Sequence, residues 1–407
     1  MKTQLLKPIA VLSLIIISAI SYAGDMEPSS APSSTMKTLS QIEPAVPFSK
    51  GDMPLTIKEP GVYYLTEGFV YTGSGTGAGN AVISVESSDV TIDLKGYTID
   101  GNSSSKAASG IYSDNFDNIT VKNGGVKGFS NFCVRLEGES SSNNRVENIT
   151  ANIADIPILV GKRSRVTNCD VHNGKTICIK VNINSVISDC IVSNDYEYST
   201  NGIYAGTYST VENCNVRMQS NYGIYVDTGS KVINCTTDYC NTYGIYASAH
   251  STVSGCNAHN VGGTCIYTNG ETLIVNNTLT GGSTGLQLGY GSTARGNQIN
   301  SCTKGVESYF RGYIENNLID DCSFGIVAQG LNSIKNNHLT SYLSGGIQIT
   351  QRHNVIEMNT LISTDSIVTG LEITGDENLY LNNRLSNATN ISNTGTSNKD
   401  GGGNITF

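Results

Sequence analysis

Tyr204, Tyr225, Tyr246 and Tyr267 each follow an isoleucine, and 21 residues separate each from the next. Flat phenol rings held in a row can lie against the apolar faces of sugar rings, with their hydroxyl groups meeting sugar hydroxyls. One repeat earlier the same position carries Lys180, and Arg135 stands two repeats before that, with Leu159 between. Residues 122–180 hold nine Lys and Arg against five Asp and Glu, in a chain whose net charge is -9. A cationic zone beside an aromatic row on an acidic background suits an anionic chain molecule, such as a polyuronate or a sulfated glycan. A purely structural role competes with this reading. Tyrosines stacked across strands stabilise a sheet, and exposed charges are weakly constrained.

What must position these residues is a repeat. Asn201-Gly202-Ile203-Tyr204, Tyr222-Gly223-Ile224-Tyr225, Tyr243-Gly244-Ile245-Tyr246 and Thr264-Cys265-Ile266-Tyr267 share one phase, which continues in both directions from residue 110 to residue 370. Two further columns keep step. One is apolar (Val166, Ile187, Val211, Val232, Val253, Ile274), and the other runs Cys169, Cys190, Cys214, Cys235 and Cys256 before turning to Asn277, Asn297, Asn317, Asn337, Asn359 and Asn383. A third, apolar again, follows two residues on. About 21 residues with three short strands and no room for a helix cannot bury a face alone, but stacked coils bury it continuously. The expected fold is therefore all-β: a right-handed parallel β-helix solenoid of about 13 coils of 20–24 residues, with three parallel sheets. If the isoleucines point inward, the residue after each points out. That outward column reads Tyr112, Arg135, Leu159, Lys180, Tyr204, Tyr225, Tyr246, Tyr267, Gln287, Glu307, Val327, Gln348 and Glu372.

Lys2 and Lys7, the apolar run Ile9 to Ile20 and the small-residue site Ser21-Tyr22-Ala23 predict a signal peptide over 1–23. The expected order is then a flexible Ser/Pro linker (24–37), an N-terminal cap region (38–79), the β-helix (80–390) and a C-terminal tail or cap (391–407). Export is the expectation, with periplasm, outer surface and medium all open. No later apolar stretch is long enough to span a bilayer, the acidic balance argues against nucleic acid, and a monomer is expected. Stacked cysteines pointing the same way lie near the strand spacing of about 4.8 Å, beyond what a disulfide wants, so buried thiols are predicted. Cys240, Cys302 and Cys322 share another column read as less buried, and Cys302 with Cys322 is the pair favoured if any is oxidised. His172, His250, His259, His338 and His353 have no metal-type spacing and are placed on solvated turns.

The Gly-Ile-Tyr starts and the Asn-Cys and Asn-Asn turns over 110–390 resemble the right-handed parallel β-helix, or pectin-lyase-like, superfamily. The segments Leu55-Thr56-Ile57, Gly61-Val62-Tyr63-Tyr64-Leu65 and Val90-Thr91-Ile92-Asp93-Leu94 resemble the opening of its bacterial members. The resemblance implies an exported, polysaccharide-directed protein, and polysaccharide lyases of the superfamily suggest roles. Lys180 would be the base, Tyr204 the proton donor, and Arg135 or Arg163 the group holding a uronate carboxylate. Tyr225, Tyr246, Tyr267 and Asp227 would contact substrate. The loop from Ser193 to Thr200 could wall the site, and calcium stays open as a cofactor. The polygalacturonase signatures Asn-Thr-Asp and Gly-His-Gly are missing. So is the Asp-Pro-His of mannuronan epimerases, which Tyr225-Val226-Asp227 only echoes. Two readings stand: a lyase on an anionic polysaccharide, with hydrolase or epimerase second, and a non-catalytic glycan-binding or structural β-helix.

Overall fold

The computed structural model describes residues 45–195, 201–364, 367–386 and 389–407. The signal peptide and linker expectations, and most of the loop ending at Thr200, lie outside the described residues.

Parallel strands wind in successive coils, and each coil pairs in register with the next. One sheet has sixteen strands, from Leu55–Ile57 to Thr389–Asn393, and contains every Gly-Ile-Tyr segment. The second element of each coil (Arg165–Thr167, Val186–Ser188, Thr210–Glu212 and onward) and the third (Asp170–Gly174, Ile191–Ser193, Asn215–Gln219 and onward) form two more ladders. Three separate sheets were expected. These two ladders are instead one sheet, because the long strands Thr120–Lys127 and Arg145–Ala154 pair straight through the corner that elsewhere divides them. At that corner the Asn148 side chain donates to Asn123 Oδ1 at 3.0 Å. The first sheet's sixteen strands also exceed the 13 expected coils. Leu55–Ile57, Ala81–Val85 and Thr389–Asn393 join it outside residues 110–370, the span over which the repeat was counted.

Each coil turns at corners where one residue takes the left-handed backbone conformation, open to glycine and tolerated by asparagine. This explains the dipeptide signature. Asn213, Asn234, Asn276, Asn316 and Asn336 sit at φ 52–56°, with Gly255 and Gly296 in the same column, and the following Cys or Asn points inward. Ile203, Ile224, Ile245 and Ile266 are fully buried, as inward positions should be.

The inward asparagines tie coil to coil. Asn277 N–H and its side-chain amide both donate to Asn297 Oδ1, at 3.0 and 2.9 Å, and the pattern repeats through Asn317, Asn337, Asn359 and Asn383. A second ladder, at the corner between the first and second elements, is built of serines. Ser164, Ser185 and Ser209 each donate a backbone N–H to the hydroxyl one coil on at 3.1 Å.

All eleven cysteines are free and buried. Cys302 and Cys322 are unbridged, and the column expected to be less buried is not: Cys240 and Cys322 are fully enclosed and Cys302 nearly so. Burial pushes the Cys133, Cys178 and Cys240 thiols up to about 12, away from the reactive thiolate.

Replacing Asn317 by Ala leaves the buried N–H of Asn297 without an acceptor, so a loss of about 2–4 kcal/mol is expected in denaturant melts. Asn316→Gly, at the neighbouring left-handed corner, should melt within about 0.5 kcal/mol of wild type. Thiol titration of the purified chain should find the cysteines unreactive until it is denatured.

Candidate functional site

The outward column follows the strand register residue by residue. Tyr112 pairs with Arg135, Arg135 with Leu159, Leu159 with Lys180 and Lys180 with Tyr204, and the four tyrosines then pass to Gln287, Glu307, Val327, Gln348 and Glu372. The rings stack. Centroids are 5.1 Å apart for Tyr204 and Tyr225, and 4.8 Å for both Tyr225–Tyr246 and Tyr246–Tyr267.

A second tyrosine row interlocks with the first. Tyr222 and Tyr243 stack at 5.4 Å and meet Tyr225 and Tyr246 edge-on at interplanar angles of 64° and 79°. The tyrosines are therefore half-buried rather than fully exposed. Repetition of Tyr before Gly was the available signal. It was hidden because the buried Gly-Ile pair breaks simple alternation, leaving both flanking tyrosines outside. Burial, followed by the neighbouring phenols, pushes Tyr246 up to about 12, and burial also raises Tyr225 and Tyr267.

At its N-terminal end the strip opens into a shallow groove of about 350 Å³ lined by Lys180, Tyr204 and Asp227 together with Lys162, Glu139 and Asn182. Tyr204 Oη donates to Asp227 Oδ2 at 2.6 Å, and Lys180 Nζ lies 5.6 Å from the Tyr204 ring centroid. Burial first, and the adjoining Asp227 carboxylate second, hold the Tyr204 phenol well above the ordinary value of 10.0. The phenol therefore stays protonated at neutral pH. Lys162 Nζ donates to Glu139 O at 3.0 Å on the opposite wall. Lys162 belongs to the coil between Arg135 and Lys180 but sits on a corner, so strand alternation could not place it.

Arg135 is not part of this groove. It pairs with Asp114 at 3.5 Å and Glu137 at 3.2 Å and lies over the Tyr112 ring, with two strand steps separating it from Lys180. Its acid partners come from its own strand's end and from a neighbouring corner, which the column pattern does not show. Arg163 occupies an exposed left-handed corner at φ 55°. Among the described residues no three His, Cys, Asp or Glu side chains converge. Calcium takes several oxygen ligands, and the groove's two carboxylates, Asp227 and Glu139, stand beside two lysines.

Residues 201–332 match the family described as the right handed beta helix region. No curated protein matches the sequence. Solved structures with a similar fold include a mutant tailspike protein of E. coli bacteriophage HK620 in complex with a pentasaccharide. It is 13% identical, with a TM-score of 0.50, over 85% of this chain and 74% of that one. The Azotobacter vinelandii mannuronan C-5 epimerase AlgE6 A-module is 11% identical over 86% and 91% of the two chains, with a TM-score of 0.42. The Dettilon tailspike protein is 15% identical, with a TM-score of 0.45, over 67% of this chain and 59% of its own, so the chain spans less than two thirds of that protein. At such identities the likeness is one of fold.

Because the raised phenol is the protonated form, its contribution to stability is present below pH 10 and is lost as pH rises above it. Spectrophotometric titration should show this tyrosine ionising late, and Asp227→Asn should bring it earlier by removing the carboxylate acceptor.

Proposed function

We propose that this right-handed parallel β-helix protein binds an anionic, uronate-containing polysaccharide, laid along the tyrosine strip with a carboxylate in the groove between Lys162 and Lys180. One observation carries the reading: the only continuous stack of four outward tyrosines among the described residues ends at a groove with two lysines. Ring stacking supplies sequence-tolerant contact with sugar faces, and the ammonium groups supply charge complementarity. The pentasaccharide named with the HK620 tailspike mutant shows that an oligosaccharide can occupy a protein of this fold. The sequence-based expectation of a signal peptide at 1–23 supports an encounter outside the inner membrane.

A second reading, elimination, is favoured by the Tyr204–Asp227 contact. The carbon beside the uronate carboxylate would give its proton to Asp227, and the bond from the neighbouring carbon to the glycosidic oxygen would break as the double bond forms. Tyr204 would deliver its proton to the leaving oxygen and recover one from Asp227. Lys180 and Lys162 would hold the carboxylate and favour the negative charge that develops on it. In this arrangement Lys180 is a clamp, and Asp227 takes the role of base.

Binding of the purified chain to polygalacturonate and alginate oligosaccharides tests the first reading. Lys180→Ala should weaken binding about tenfold and flatten its salt dependence, whereas Tyr225→Ala should weaken it with the salt dependence kept. Unchanged binding in both folded variants would assign the strip to sheet stability alone. For elimination, Tyr204→Phe should remove the ultraviolet signal of unsaturated product while leaving binding within about threefold.

A further inference from the structure

In the outward columns of the second and third ladders, charges on neighbouring coils are opposite in sign. Asp93 is in register with Lys122 and Lys122 with Glu147, and Asp100 faces Lys127. Arg217 faces Asp238, and Arg295, Glu315, Lys335 and Glu357 follow one another in unbroken alternation. Several of these pairs are in contact, such as Lys127 with Asp100 at 3.2 Å and Lys335 with Glu357 at 3.0 Å. Among the described strands one pair breaks the pattern: Arg145 is in register with Arg165.

Both arginines are exposed, their outer neighbours in the column are the neutral Thr120 and Val186, and among the described residues neither forms an ion pair. Like charges directly opposite on adjacent strands are destabilising. The contact stands on a chain with a net charge of -9, where an acid at either position would match every other charged register pair. Both positions are Arg rather than Lys, so two planar five-donor forks rise from backbone positions one strand spacing, about 4.8 Å, apart. Arg163, two residues before Arg165, adds a third exposed fork at a left-handed corner that Asn143 and Asn184 occupy on the flanking coils.

We propose that Arg145 and Arg165, extended by Arg163, bind a sulfate or phosphate ester group of a polyanionic partner. A planar carboxylate offers two oxygens and is filled by one fork. A tetrahedral ester offers three free oxygens and can bridge two. The site lies on the second-element face, separate from the tyrosine strip, and does not rest on the polysaccharide reading of that strip.

The test uses the full chain at constant ionic strength, with sulfate replacing chloride, read by thermal melting. Two binding probes follow: a heparin-derived sulfated oligosaccharide, and phosphatidylcholine vesicles carrying phosphatidic acid. Sulfate should raise the melting temperature of wild type but not of the Arg145→Ala/Arg165→Ala double variant. That variant should lose about tenfold or more in binding to whichever probe wild type retains. Retention on the oligosaccharide identifies a glycan source and retention on the vesicles a lipid source. Lys231→Ala, an isolated exposed cation in the same column, should behave as wild type. Arg165→Glu, which restores opposite signs facing Arg145, should melt above wild type in chloride and gain nothing from sulfate. No gain from sulfate in wild type, or an equal gain in the double variant, overturns the proposal. So does probe binding that the double variant leaves unchanged, or an Arg165→Glu variant that melts no higher than wild type.

Discussion

From Ile119 onward each coil is fastened to the next by a side-chain oxygen that accepts a backbone N–H from the coil before it, and the position of the surface residues follows from that bond. Parallel strands can slip, and a slip of one residue would turn each inward isoleucine outward. The corners forbid it. Asn297 Oδ1 receives both the backbone N–H and the amide of Asn277, and on the same two coils Ser292 Oγ receives the N–H of Thr272, so displacing that coil would strand buried donors at two corners at once. Where cysteine replaces asparagine the corner is held differently. The thiol fills the inward space and approaches a carbonyl of its own coil, as Cys190 Sγ does with Ser188 O at 3.1 Å.

Register converts a repeat in sequence into stripes in space, with consequences of both kinds. Identical residues on successive coils become neighbours, which turns four spaced tyrosines into one continuous aromatic surface interlocked with Tyr222 and Tyr243. Charges are brought equally close, and where two meet in register among the described strands they are of unlike sign except at Arg145 and Arg165. The cationic zone of residues 122–180 is divided by the same logic. Lys122, Lys127 and Arg135 are matched by acids, Lys162 and Lys180 border the groove, and Arg145 and Arg165 are left facing each other on another face.

The period, the inward isoleucines and the whole outward column were legible because all three depend only on spacing and alternation. What was missed lies where those rules stop. Leu55–Ile57 and Ala81–Val85 form coils before residue 110, where the count of repeats began, so they were left out of it. Lys162 stands on a corner, where no alternation rule says which way a side chain points, and it reaches the groove from there. Arg135 was placed in the correct column, yet its ties to Asp114 and Glu137 depend on corner geometry that the repeat does not carry. The serine ladder was readable in principle, since Ser209, Ser230 and Ser251 keep the 21-residue period. Its meaning needed the knowledge that the position faces inward at a corner.

The groove differs from the strip in one respect that bears on chemistry. Farther along the strip, Tyr246 and Tyr267 are shifted by burial and by the mutual repulsion of ionised phenols. At Tyr204 the neighbour is a carboxylate, which accepts the phenolic hydrogen and opposes its loss. The pair thereby keeps the hydrogen on the phenol, with Asp227 as its acceptor. Asp227 ends the sequence Tyr222-Gly223-Ile224-Tyr225-Val226-Asp227, so one coil supplies both a stacking ring and the acceptor, and the coil before it supplies the donor. A site made from two adjacent coils needs no loop to assemble it, because the hydrogen bonds that stop the coils from slipping also hold donor and acceptor together.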